Sequence, residues 1–197
     1  ALYIAATVLF ILTLGGLSNQ ESSRLGNLYG MLGMTIAIIA TLLGPYVTKN
    51  YFLIFVLMIS GASIGLFLAK KVQMTQMPEL VAILHSLVGL AAVLVGYVNF
   101  FDVTNILSGI EKTIHQAEIY IGIFIGAVTF SGSIIAFGKL SGYMSGSPLL
   151  LPARHWLNLM VVLIIFYYGY LFTTDTETAL NSLIVMTILA LFFGIHL

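Results

Sequence analysis

Four side chains stand out as able to handle a proton: His85, Ser86, Ser133 and Glu79. An imidazole with an ordinary pKa of about 6.5 changes charge near neutral pH, so it can be loaded and unloaded. His85 lies about seven residues inside a long apolar run, roughly 10 Å from its start at about 1.5 Å per helical residue. An ionisable group at membrane depth is a functional candidate by default, often in a proton relay. The competing reading is a buried neutral imidazole bonded to a neighbouring hydroxyl. Ser133 sits at nearly the same depth in the next apolar run. A hydroxyl both donates and accepts, which suits a proton path. If the two runs pack together, His85 and Ser133 are expected to share a hydrogen bond or a water; the competing reading of Ser133 is packing. Ser86 is a weaker candidate of the same kind. Glu79 follows Pro78 at a helix start, where an acid suits the helix dipole. It also stands one and a half turns before His85.

Other chemistries find no residues. The 197-residue chain has no Cys, which excludes disulfides and thiol catalysis. Seven Lys and Arg with no basic run argue against nucleic acid as a partner. No metal-binding motif is present, and the glycines lie inside apolar runs rather than at strand-to-helix turns, so no nucleotide fingerprint appears. The seventh apolar run has no Lys for a retinal Schiff base. Haem ligation by His85 and His196 lacks the usual paired-His spacing within one helix.

These residues must be held by membrane helices. Only 7% of the residues are charged, 60% are hydrophobic and the net charge is zero; mean hydropathy is +1.09. A soluble domain carries about 25% charged residues. A crossing needs about 20 apolar helical residues. Seven runs qualify or nearly so: 1–17, 28–45, 51–70, 78–99, 118–138, 154–172 and 179–197. They are continuously apolar, unlike the alternating strands of a barrel. The expected fold is all-α, a polytopic transmembrane helix bundle of seven spans. Loops one, three and five hold Arg24, Lys70, Lys71, Lys139 and Arg154, against Lys49 and Lys112 in the others. The positive-inside bias then predicts the N-terminus outside and the C-terminus inside. The first residue is Ala1 rather than Met, which reads as a processed chain or a fragment. The first run lacks the basic flank and cleavage site of a signal peptide.

Helices associate in lipid through small residues that let backbones approach. Gly30, Gly33, Ala37, Ala40 and Gly44 form such a stripe in span two. Ala82, His85, Gly89, Ala92 and Gly96 form one in span four, and Gly122, Gly126, Thr129, Ser133 and Ala136 one in span five. Span three adds Gly61 and Gly65. On this spacing His85 is expected to face protein rather than lipid.

The run Met74-Thr75-Gln76-Met77-Pro78-Glu79-Leu80-Val81-Ala82-Ile83-Leu84-His85-Ser86, continuing through Gly89 to Gly96, closely resembles the membrane domain of the beta subunit of proton-translocating NAD(P) transhydrogenases. The stretch from Gly122 through Gly126 to Ser133 and Lys139 agrees, as do Pro148 to His155 and Gly16 to Asn27. The resemblance covers essentially the whole chain.

The resemblance implies a family that couples hydride transfer between NAD(H) and NADP(H), held in separate soluble domains, to proton translocation. Residues 1–197 are then a partial transmembrane proton-translocating domain. The family's membrane histidine matches His85 and a serine implicated beside it matches Ser133; its Gly-rich faces match Gly89 and Gly126. It implies as partners the alpha-subunit membrane helices and NAD(H) domain, the beta-subunit NADP(H) domain, the bilayer, and a second copy of the complete enzyme. The expected location is a bacterial inner membrane in preference to a mitochondrial inner one. The chain stops before the family's Gly-Gly-Ala-Asp-Met-Pro stretch, last two beta spans and NADP(H) domain. It is therefore expected to bind no cofactor and to catalyse no hydride transfer alone. The alternative reading is a secondary transporter or channel with His85 in its permeation path.

Overall fold

The computed structural model describes residues 2–44, 50–102, 108–147, 153–175 and 177–196, and these are helical throughout apart from turns. Seven α-helices follow in chain order: α1 (Leu2–Leu17), α2 (Ser23–Leu42), α3 (Tyr51–Lys71), α4 (Met77–Phe101), α5 (Gly109–Leu140), α6 (Arg154–Thr174) and α7 (Ala179–His196). A 3₁₀ turn, Met74–Gln76, leads into α4. Six of the seven, α2 to α7, are long and apolar enough to cross a membrane; α1 has 16 residues. Lys49 and the segment Pro148–Pro152 lie outside the described residues.

Two elements differ in length from the expectation. α2 starts at Ser23 rather than at 28, and α5 starts at Gly109 rather than at 118. α5 is 32 residues long, about 48 Å at helical rise, against a hydrocarbon core of about 30 Å. Its first turns carry Glu111, Lys112, His115 and Glu118. An apolar-run reading misses a helix that continues into polar surroundings, because backbone hydrogen bonds propagate regardless of side-chain polarity.

The described residues form two compact units, 1–67 and 68–197. In the first, α1 and α2 form a hairpin. Its closed end is a glycine crossing. A methyl group on Gly16 would fall 2.6 Å from the Cα of Gly26, closer than any side chain allows. The Ser22 hydroxyl donates to Gly16 O at 2.8 Å, which closes the turn over that crossing. Gly33 and Ala40 are buried and Gly30 packs on Thr13, so the span-two stripe is a contact face. At the open end Tyr3 OH meets Thr41 Oγ1 at 3.1 Å. Among the described residues α3 packs on no other helix and buries no side chain. Gly61 and Gly65 have no neighbour within 4 Å among the described residues.

The second unit is built around α5, which packs on α4, α7 and α6. Its core joins Ile123, Ala127, Ile165, Phe172, Leu183, Met186 and Ala190. With lipid on the outside, what holds such a core is close van der Waals packing rather than exclusion of water. α7 buries Ala179, Ser182, Leu183, Met186, Ala190 and Gly194. Small residues (Ala179, Ser182, Ala190 and Gly194) alternate with the large Leu183 and Met186 on this face, at three and four spacing. Gly194 sits directly on Ser131 and Val128 O of α5, and a Cβ there would collide with the Ser131 hydroxyl.

α4 and α7 are linked by one side-chain pair. Thr187 Oγ1 donates to Leu183 O at 2.7 Å, so its proton is used, and Tyr97 OH donates to Thr187 Oγ1 at 2.9 Å. Interhelical hydrogen bonds inside membrane proteins contribute about 0.6 kcal/mol on average and up to about 1.7. Tyr97→Phe is therefore expected to lower unfolding stability by about 1 kcal/mol. Thr187→Val should give the same loss, and the double variant no more than either. Unfolding in detergent with added SDS measures all three.

Candidate proton site

The site residues lie on α4 and the facing part of α5. Gln73 and Gln76 close the 3₁₀ turn before α4, with Gln73 N donating to Gln76 Oε1 at 3.2 Å. Pro78 occupies the first turn of α4, where its missing N–H leaves no bond unmade. Glu79 follows in that same turn, the place where a carboxylate complements the helix dipole. From Glu79 to His85 is six residues, about 240° around the helix. The two side chains therefore leave α4 about 120° apart.

Further along, the contact with α5 decides which residues are covered. Ala82, Ser86, Gly89 and Gly96 are buried. A methyl on Gly89 would lie 2.6 Å from Phe130 N and 2.7 Å from Gly126 O. One on Gly126 would lie 2.8 Å from Gly89 O and 3.0 Å from the Ala92 Cβ. Gly96 is filled from the other side by Ile123. Gly89 and Gly126 thus bring the two backbones into direct contact at one level, and Ala82 and Gly96 are buried in the same helix. A Cβ on Gly122 would have no neighbour within 4 Å among the described residues.

His85 departs from the expectation. Its side chain is exposed, whereas Ser86, next along the chain, is 2% exposed. At about 100° per residue, Ser86 stands about 45° to one side of the line on which the buried residues of α4 centre and His85 about 55° to the other, so it is the position of α5, on the Ser86 side, that covers one and leaves the other exposed. The ring turns back along its own helix, and Nδ1 donates to Val81 O at 3.0 Å. With Nδ1 carrying that proton, neutral His85 has its free lone pair on Nε2. Among the described residues the ring has no second hydrogen-bond partner, and none joins it to Ser133.

Ser133 is half-buried on α5. Since Gly89 lies against Gly126 and Phe130, and the helices run antiparallel, the residues one turn back on α4 stand level with the residues one turn on in α5. His85, Ser86 and Ser133 therefore share one level of the bundle, with Ser86 inside the α4–α5 contact and His85 at its edge. The buried serine of α5 is Ser131, which bonds Ala127 O at 3.0 Å and faces α7. It was absent from the sequence reading because a serine two positions away shared the same apolar run; its signal is the set of small residues on α7. On α7, His196 Nδ1 is buried with no partner among the described residues.

The described residues contain helices and no strand, and their glycines lie within helices or at turns between them. They do not fit a dinucleotide, so no hydride step is derived from this chain. What the arrangement offers is an imidazole on the exposed face of α4, at the level of two serine residues, Ser86 and Ser133.

The profile of the family described as NAD(P) transhydrogenase beta subunit matches residues 1–197. A protein named NAD(P) transhydrogenase subunit beta from Rhodospirillum rubrum is 50% identical over 158 residues, 79% of this chain and 34% of its own length. Its namesake from the strain ATCC 11170 of that organism matches to the same extent. The chain spans about a third of the length of the curated relatives it matches. With six helices fit to cross a bilayer, this is an integral membrane protein, and it belongs to the NAD(P) transhydrogenase beta subunit family.

Proposed function

We propose that this chain is the proton-conducting membrane part of an NAD(P) transhydrogenase in a bacterial inner membrane. Hydride passes between NAD(H) and NADP(H) in soluble domains that belong to the alpha and beta subunits outside residues 1–197. His85 is the group whose protonation changes, with Ser86 and Ser133 as neighbouring hydroxyls. The observation that carries this reading is the His85 ring itself, tied at Nδ1 to Val81 O with Nε2 free. A ring anchored in this way keeps one nitrogen in fixed orientation and leaves the other to gain and lose a proton. The exposed α4 face suits cover by alpha-subunit membrane helices, so the proton site is completed by a partner. Seven spans with the N-terminus outside agree with the loop charges.

Coupling is then linkage. If NADP(H) binding and release change the proton affinity of His85, proton occupancy changes the nucleotide equilibrium by the same factor. The complete enzyme in liposomes, with a pH-sensitive dye inside, tests this. Proton movement is expected only while both nucleotides turn over, and to reverse with the direction of hydride transfer. A proton flux that ignores NADP(H) would favour a channel or secondary transporter with His85 in its path.

A further inference from the structure

Between α5 and α6 lies an apolar groove of about 580 Å³. On α5 it runs from Ala117 to Ile125, and on α6 from Val162 to Thr173. The two helices meet at Tyr120, whose hydroxyl donates to Ile165 O at 2.6 Å, and whose ring lies 3.1 Å from where a Cβ on Gly169 would stand. The groove lies beside that contact and is open along part of its surface. The Tyr120 hydroxyl is occupied, and Thr173 Oγ1 bonds Tyr170 O at 3.0 Å on its own helix. Of the hydroxyls that line the groove, only that of Tyr170, 66% exposed, has no bond among the described residues. At about 30 Å³ per water-sized group, the volume takes about twenty such groups, and a methylene is of that size. That is one long acyl chain.

The rim adds charge. The groove ends at Thr173, two residues before Asp175. The Asp175 carboxylate accepts from the Thr178 hydroxyl at 2.8 Å and from Glu177 N at 3.0 Å. Those bonds, the Thr178 one first, hold its carboxyl below the usual range and keep it ionised. Glu177, Glu111 and Glu118 belong to the same end of the helix pair, with Lys112 the only Lys or Arg among the residues there and His115 beside it. A cluster this acidic repels an anionic headgroup and attracts an ammonium.

We propose that this groove binds one acyl chain of an amine-headed zwitterionic phospholipid, with its ammonium at the rim formed by Asp175 and Glu177. The chain is held by shape, since lipid offers no hydrophobic gain over the surrounding bilayer. Headgroup charge supplies the selectivity.

Residues 1–197 contain no Cys, so Ile121→Cys places a single thiol among them. The complete enzyme, with every cysteine outside these residues replaced by serine, is labelled there with bimane and reconstituted. Phosphatidylethanolamine or phosphatidylglycerol brominated in the acyl chain is the probe. Half-quenching is expected at a mole fraction about threefold lower for the ethanolamine lipid, the size of an exposed ion-pair preference. Leu163→Cys, 58% exposed on α6 and outside the groove, should be quenched equally by both. Asp175→Asn combined with Glu177→Gln should abolish the preference and leave chain quenching intact. Equal quenching at Ile121→Cys, stronger quenching by phosphatidylglycerol, or a preference that survives the double substitution would overturn the assignment. So would absence of quenching by either lipid, which would mean that a protein segment fills the groove.

Discussion

Replacing His85 with alanine in the assembled enzyme is expected to stop proton-coupled turnover while leaving the membrane fold in place. The two halves of this expectation have separate grounds. The side chain is exposed and its one hydrogen bond is to its own helix, so its removal leaves no cavity within the chain and no unpaired partner on another element. Within this chain the substitution therefore removes no hydrogen bond to another helix. Loss of a positioned acid–base group, in contrast, costs about 10²- to 10⁴-fold in rate. His85→Asn separates the roles further. An amide can donate to Val81 O as the ring does, but it does not titrate near neutral pH. Both variants should lose proton pumping to the same extent, measured by dye quenching in liposomes, while their thermal stability stays near wild type. Pumping at the wild-type rate in either variant would remove His85 from the path. Pumping retained in the asparagine variant alone would reduce it to an anchor for the helix. Hydride transfer measured in parallel reports whether the nucleotide reaction is tied to the same proton.

The second large effect is expected at the α4–α5 crossing. Gly89 and Gly126 each leave no room for a methyl group, and each blocks the other's backbone carbonyl. Overpacking of this kind costs about 1–3 kcal/mol per site. Because both substitutions would push the same two backbones apart, Gly89→Ala and Gly126→Ala should be less than additive when combined. Gly122→Ala is the internal comparison. It stands on the same helix in open space, where Gly to Ala within a helix stabilises by up to about 1 kcal/mol. SDS unfolding of the purified enzyme gives all four values. If Gly122→Ala destabilises as strongly as Gly126→Ala, a helix outside this chain occupies that face. Separation of α4 from α5 also shifts the level shared by His85, Ser86 and Ser133. The crossing variants should therefore lose proton coupling even where they still fold.

Much of the site was legible in the sequence because its chemistry is local. A histidine inside an apolar run stands out wherever that run ends up, and the small residues around it mark contact faces through their size alone. Placement on a face was less legible. Ala82, His85, Gly89 and Gly96 all fit a three-and-four spacing, but that spacing admits either His85 or Ser86 between Ala82 and Gly89. Only the position of α5 chooses Ser86 for the interior. The same holds for Gly122 and Gly126, one turn apart on one stripe, of which one touches a backbone and the other touches nothing. Ser131 shows the converse, since its burial depends on α7, a helix more than fifty residues away in sequence.

The sequence by itself determined the class of molecule and the number and approximate extent of its helices. Those depend on the length and polarity of each run, which are properties of consecutive residues. It also determined the candidate proton group and, through its motifs, the family. Tertiary structure alone decided which side of each helix is covered. It left the side chains of α3 unburied among the described residues, left His85 exposed, and formed the groove between α5 and α6. Such outcomes follow from the crossing of helices, where backbone approach is set within a fraction of an ångström by side chains far apart in the chain. No periodicity within one helix carries that information.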